Sequence, residues 1–140
     1  MLYPLEDLIG MLLSKNDRIE EEVKKNSGLQ DLTFKQLECI SWIRELKNPN
    51  LTELSIKLEI TKPSTTALVD KLEEKKYIIK VKSDEDRRTA HVHLTKKGYK
   101  ASRVSQEVYK KMSRELSKQL SPEENELFLK LLNKALHPYV

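Results

Sequence analysis

LTELSIKLEITKPSTTALVDKLEEKKYIIKVKSDEDRRTAHVHLTKKG, residues 51–98, carries the most informative pattern in this chain. It opens with a short amphipathic segment at 51–58 and breaks at 59–61. A longer helical segment then runs from about 62 to 76. That second segment has one buried stripe, formed by Leu68, Val69 and Leu72. Two short helices joined by a tight turn predict a helix-turn-helix.

The second of these helices has a polar first half. Thr61 is a suitable N-cap, and the turns after it combine hydroxyl groups with cations, at Lys62, Ser64, Thr65, Thr66 and Lys71. Small hydroxyl side chains let a helix N-terminus approach DNA closely and form hydrogen bonds to base edges or phosphates. A first turn rich in Ser and Thr that only caps its helix remains the alternative.

A β-hairpin is predicted next. Alternating apolar residues form one face of each strand: Tyr77, Ile79 and Val81 in the first, Ala90, Val92 and Leu94 in the second. Residues 83–89 between them are polar and include the adjacent Arg87 and Arg88. Such a tip could be an ordinary solvated loop, or it could reach into a minor groove beside the helix-turn-helix.

The segment resembles the winged helix-turn-helix of the MarR family of transcription regulators (multiple antibiotic resistance type). Asp86-Arg87-Arg88 followed by Leu94-Thr95-Lys96-Lys97-Gly98 is similar to the family's DxR…LTxxG signature. The helices containing Leu51-Thr52-Glu53-Leu54 and Val69-Asp70-Lys71-Leu72-Glu73 also match the family pattern. Two positions depart from it, since the family often has Gly where Glu59 stands and Gly after the second helix, where Tyr77 directly follows Lys76.

The resemblance implies a homodimeric repressor that places each recognition helix in a major groove of double-stranded DNA, with the wings in the flanking minor grooves. A two-fold dimer would read a pseudo-palindromic operator. Asp86 would pair with a nearby arginine and stabilise the wing. The residues predicted to contact DNA are Thr52, Lys62, Ser64, Thr65, Thr66, Lys71, Arg87 and Arg88.

Family members release DNA when a small, often aromatic acid binds between the dimer helices and the DNA-binding lobe. The resemblance therefore makes this chain a candidate ligand sensor. Tyr3, Trp42 and Tyr109 are candidates for the pocket by residue type only, and the sequence identifies no ligand.

Charge is distributed unevenly along the 140 residues. The formal net charge is +4, but residues 62–111 hold 14 Lys and Arg against 7 Asp and Glu, whereas the rest holds 12 against 15. Concentrated positive charge is the sequence-independent part of DNA binding. A basic face that only keeps the protein in solution is the alternative.

The two ends of the chain are predicted to be helical and apolar. Residues 2–25 repeat apolar positions every three or four residues, with Asn16 within that repeat. One long helix is expected from Gly98 to about Leu120, and a last helix begins at the capping box Ser121-Pro122-Glu123-Glu124. Apolar surfaces of this extent are expected to be buried against a partner, and a second subunit would bury them.

Between them, a helix at about 33–47 begins with the capping box Thr33-Phe34-Lys35-Gln36 and contributes Phe34 and Trp42 to the core. It also contains Cys39, which reads as a buried thiol rather than a redox sensor.

No catalytic motif is apparent, so we expect no enzyme and no cofactor. His91 and His93 share a strand face but lack the further ligands of a metal site. No apolar run is long enough to cross a membrane and no signal peptide is apparent, and together with the single Cys this predicts a cytoplasmic protein.

The predicted fold is mainly α with a small β-hairpin wing (α+β), a winged helix-turn-helix with long N- and C-terminal dimerisation helices. We expect a single domain over 1–140, with the core at 51–98 and the dimerisation helices at 1–30 and 99–140. The predicted function is a sequence-specific, DNA-binding transcription repressor. A winged-helix protein–protein adaptor without DNA binding is the alternative.

Overall fold

The computed structural model describes residues 1–82 and 89–137. Helices dominate this part of the chain, and the strands form one antiparallel pair, which confirms the predicted fold class. In chain order the elements are α1 (Leu5–Ser27), α2 (Phe34–Leu46), α3 (Leu51–Leu58), α4 (Lys62–Glu74), β1 (Ile78–Lys82), β2 (Ala90–Leu94), α5 (Lys96–Ser102), α6 (Val104–Ser117) and α7 (Pro122–Leu136).

The chain divides into two compact units. We call Glu20–Glu107 the central unit, and Met1–Ile19 together with the chain from Val108 onward the terminal unit. The central unit contains α2 to α5 and both strands. The helix-turn-helix and the hairpin therefore lie within one packed body.

The central unit has a continuous apolar core. Each of its elements contributes side chains that are almost completely buried, including Ile40, Ile43, Leu54, Leu58, Val69, Leu72, Ile78 and Val92. Two of its helices begin at predicted caps: the Thr33 side chain accepts from the Gln36 N–H in a full capping box, and Thr61 caps α4. Asn50 and Thr95 cap α3 and α5. Core packing and caps together determine where these helices begin and how they stack.

Three helices of the central unit, α2, α3 and α4, end in left-handed turns without glycine, and the last two bear on the predicted pattern. Glu59 after α3 has φ of 55° and Lys76 after α4 has φ of 68°. In each case the next residue donates back to the last turn, Ile60 N to Ser55 O and Tyr77 N to Leu72 O. These are the positions where the sequence departs from the MarR pattern, and the backbone keeps the left-handed geometry at a cost of roughly 1–2 kcal/mol per residue.

The hairpin in the structure contradicts the predicted apolar face of the first strand. Ile78 pairs with Leu94 and Lys80 with Val92, so Ile78 lies on the buried side. The prediction that Tyr77, Ile79 and Val81 form one apolar face is wrong: Ile79 and Val81 are exposed. Tyr77 belongs to the turn that ends α4, and this turn shifts the strand by one residue, which reverses which side chains face the core.

The helix predicted from Gly98 to Leu120 is two helices, with Arg103 between them. The Ser102 hydroxyl donates to Tyr99 O at 2.6 Å, and the Arg103 N–H bonds Lys100 O at 3.2 Å. Side-chain competition for helix carbonyls favours such a break. A second correction concerns Phe34, which was predicted to lie in the core but is exposed at the first position of α2.

The terminal unit leaves much apolar surface exposed. Within Pro122–Leu136 the structure buries no residue, although Ser121 and Glu124 form the predicted capping box. The exposed apolar side chains of α1 and α7 are Leu5, Leu8, Ile9, Met11, Leu12, Leu13, Leu127, Leu129, Leu131, Leu132 and Leu136. None of the helices in residues 1–82 and 89–137 is long and apolar enough to cross a bilayer.

Candidate nucleic-acid interface

α4 presents exposed polar side chains in its first turns and again in its last turn. Lys62, Ser64 and Lys71 are exposed and Thr66 is half-buried. Lys62 and Thr66 are four residues apart and Ser64 and Lys71 seven apart, so each pair projects from one side of the helix. With Thr52, exposed in the first turn of α3, five of the eight predicted DNA-contacting side chains remain accessible.

Their hydrogen bonds distinguish these side chains. The Ser64 hydroxyl accepts from Thr61 Oγ1 at 2.9 Å and is therefore part of the N-cap. The Thr66 hydroxyl has no protein partner in residues 1–82 and 89–137, and Lys62 and Lys71 form no ion pair with a carboxylate of those residues. Thr66 and the two lysines are thus available to an external ligand.

Thr65 is a correction to the predicted site. Its side chain is fully buried between α3 and α4, where its hydroxyl donates to Thr61 O at 2.9 Å and lies 2.8 Å from Ser55 Oγ. A side chain in this position cannot touch a base edge. Thr65 instead joins the two helices of the helix-turn-helix, because a buried hydroxyl pair is stable only with its partners in place.

The hairpin is bound to α4 by side chains that sequence reasoning missed. Lys80 pairs with Asp70, and the Lys80 N–H donates to Glu73 Oε2 at 3.1 Å. These contacts satisfy a backbone donor on the free edge of β1 and neutralise one carboxylate of α4. The sequence spacing of these residues does not indicate the contacts, because the contacts depend on how β1 folds back along α4.

The wing tip lies outside the described residues. Asp86, Arg87 and Arg88, predicted to stabilise the wing and contact DNA, belong to 83–88. Their assignment stays a prediction.

Gly98 explains the glycine of the LTxxG motif. A Cβ added there would lie 2.1 Å from Tyr77 O, far inside contact distance. Glycine at this position lets α5 pack directly against the backbone that follows α4.

Two further candidate residues, Cys39 and His91, have surroundings that indicate a structural role. Burial, followed by the negative charge of Glu38, raises the pKa of the Cys39 thiol to about 12, which gives no support to a redox role. His91 Nδ1 lies 3.0 Å from Asn48 O. No cluster of three His, Cys, Asp or Glu suited to a metal occurs in residues 1–82 and 89–137.

The three aromatic residues named for a ligand pocket are divided between the units. Tyr3 and Tyr109 are exposed in the terminal unit, and Trp42 is half-buried in the central unit with Lys57 Nζ 5.3 Å from its ring centre.

Comparison with known proteins decides the family. The family model described as MarR family matches residues 32–90, from the start of α2 to the start of β2. A Bacillus subtilis protein named as an uncharacterized HTH-type transcriptional regulator, YsmB, is 31% identical over 109 residues, covering 76% of this chain and 73% of its own length. The chain belongs to the MarR family. The predicted resemblance is therefore confirmed.

Solved MarR-family structures share the fold along nearly the whole chain. The reduced form of Escherichia coli MarR has a TM-score of 0.72 at 29% identity, covering 97% of this chain and 98% of that one. Streptococcus pneumoniae FabT, solved in complex with DNA, has a TM-score of 0.76 at 28% identity, with coverage of 94% and 92%. The prediction that the protein is not an enzyme is confirmed by the family, whose matched members are transcription regulators.

Proposed function

We propose that this MarR-family protein is a homodimeric, sequence-specific repressor that binds operator DNA in the cytoplasm. The observation that carries the proposal is the accessible polar surface of α4, which carries exposed Lys62 and Lys71 and the half-buried Thr66. Lysines supply phosphate contacts, which fix position and orientation, and a free threonine hydroxyl supplies a contact to a base edge. FabT, a relative of the same fold, is solved with DNA bound.

The homodimer is proposed because the terminal unit exposes apolar side chains on both α1 and α7. Leu5 is 70% exposed and Leu13 is 62% exposed, and Leu127 and Leu131 on α7 are more than half exposed. Exposed apolar side chains in this number favour an interaction site. A two-fold dimer would place two α4 helices on one duplex and would therefore bind a pseudo-palindromic operator.

Two further parts of the proposal rest on family resemblance. Arg87 and Arg88 would approach the minor groove from the wing, with Asp86 pairing an arginine within the loop. A small aromatic acid would relieve repression.

The test begins with selection of duplexes from a random library by the purified protein. A shared, two-fold related motif among the recovered sequences is expected. A protein–protein adaptor would recover no common motif, and that result would refute operator binding.

The selected duplex then tests the role of Thr66. Thr66→Ala should change the preference among single-base operator variants by about 1–3 kcal/mol at the contacted position, because one base contact is lost. Competition binding against the set of point variants measures this change. Thr65→Val, one residue away, is the matched control: it should lower the free energy of unfolding by about 1 kcal/mol while leaving base preference intact. An unchanged preference in Thr66→Ala would mean that this hydroxyl does not read a base.

A further inference from the structure

The C-terminal end of α4 is attached to two neighbouring segments by polar contacts. Tyr77, the second residue after the cap, is fully buried, and its hydroxyl donates to Asp31 Oδ1 at 2.9 Å. Asp31 lies three residues before the start of α2. Burial, then the hydrogen bond to Asp31 and the charge of that carboxylate, raise the pKa of Tyr77. The phenol therefore remains a donor at neutral pH, and this bond connects the end of α4 to the beginning of α2.

Two lysines reinforce the same junction. Lys75 Nζ donates to Asp31 O and, at 3.1 Å, to Gln36 Oε1. Lys97 Nζ, from the first turn of α5, donates to Lys75 O at 3.0 Å and lies 4.2 Å from the centre of the Tyr77 ring. Cations near the last carbonyls of a helix interact favourably with its dipole, and a cation over an aromatic face adds to this attraction.

The backbone completes the contact with α5. Tyr77 O accepts from Thr95 N at 3.0 Å, and Thr95 Oγ1 donates to Lys76 O at 2.7 Å. Gly98 permits the close approach. The end of α4 is therefore held from α2 on one side and from α5 on another.

We propose that Tyr77, Asp31, Lys75 and Lys97 form a positioning site that sets the orientation of the recognition helix for base readout. The inference rests on the proposed DNA-binding function. Thr66 lies about 12 Å along the helix from its last residue, so a tilt of about 10° at the junction would move it by about 2 Å. Hydrogen bonds to base edges tolerate only a few tenths of an ångström. Phosphate contacts by long lysine side chains are more tolerant.

Disruption of this site should therefore reduce the discrimination between DNA sequences rather than weaken binding to all DNA. Tyr77→Phe removes only the hydroxyl and keeps the buried ring. The ratio of affinities for a duplex selected by the wild-type protein and a scrambled duplex of equal length and composition should fall about tenfold. Affinity for the scrambled duplex and the salt dependence of that binding should stay unchanged, because the phosphate-contacting lysines remain.

Tyr99→Phe is the matched control, since Tyr99 is an exposed tyrosine of α5 whose hydroxyl has no protein partner in residues 1–82 and 89–137. It should leave the ratio unchanged.

Exposed Asp31 provides a second test that does not alter the core. Asp31→Asn keeps an acceptor oxygen for Tyr77 and should preserve most of the discrimination, whereas Asp31→Ala should reproduce the defect of Tyr77→Phe.

The outcomes separate the possible failures. A ratio that Tyr77→Phe and Asp31→Ala leave unchanged would overturn the positioning role. Equal losses on both duplexes would also overturn it, because they would show a smaller folded fraction rather than a misplaced helix. If the wild-type protein itself prefers no duplex, the proposed function fails and this inference fails with it.

Discussion

The central and terminal units of this protein use apolar residues in opposite ways. In the central unit, Leu54, Val69 and Leu72 are completely buried and its helices end in defined caps. In the terminal unit, α7 buries none of its fifteen residues in the single chain. Apolar burial is the main favourable term in folding. The central unit therefore obtains this term within one chain, and the terminal unit exposes a surface that association would complete.

The largest expected effect comes from charging that surface. Leu131→Glu introduces a carboxylate at a leucine that is 57% exposed in the single chain. If a second subunit covers it, the buried charge should dissociate the dimer at micromolar concentration, which sedimentation equilibrium measures. Affinity for the selected duplex should fall by about a hundredfold or more, since two linked half-site contacts become one.

Asn133→Glu is the matched control for this variant. It adds the same charge to the same helix, but two residues away and thus about 200° around the axis from Leu131. If the dimer persists in Leu131→Glu but dissociates in Asn133→Glu, the interface lies on the side of α7 that carries Asn133, and the proposed interface is wrong. A wild-type monomer at micromolar concentration would refute the association of terminal units altogether.

Two glycine-to-alanine variants, one in each unit, compare how closely the two units are packed. Gly98→Ala should lower the free energy of unfolding by about 1–3 kcal/mol, because the new Cβ meets the Tyr77 carbonyl and the close packing of α5 must open. Gly10→Ala in α1 meets no atom within 4 Å and should stabilise its helix by up to about 1 kcal/mol. Chemical denaturation of both variants measures the difference. Equal effects would contradict the distinction between a closed and an open unit.

The smallest effect concerns Cys39, which probes the central core. Its pKa lies near 12 instead of 9.0, so the folded state holds the proton. The thiol should resist a thiolate-specific reagent at pH 8 in the native protein and react quickly once the chain is unfolded in guanidinium. The contribution of this group to stability is complete below about pH 9 and is lost as pH rises toward 12. Rapid native labelling at pH 8 would show that this core opens.

Some of these features were predictable from sequence. The starts of several helices follow from local signals: Thr33, Thr61 and Ser121 begin helices because their side chains accept from backbone N–H groups three residues on. Helical periodicity correctly indicated Val69 and Leu72 as core. These inferences succeed because caps and periodicity depend on neighbours within one or two turns.

Only the tertiary structure decided which side chains of those elements are available. Thr65 and Thr66 are equivalent as sequence, yet the packing of α3 against α4 buries the first and leaves the second accessible. The left-handed turn at Lys76 shifted the strand face by one residue, against the alternation that sequence showed. The Tyr77–Asp31 bond spans 46 positions of the chain. Such contacts depend on how separate elements pack, and no local pattern encodes them.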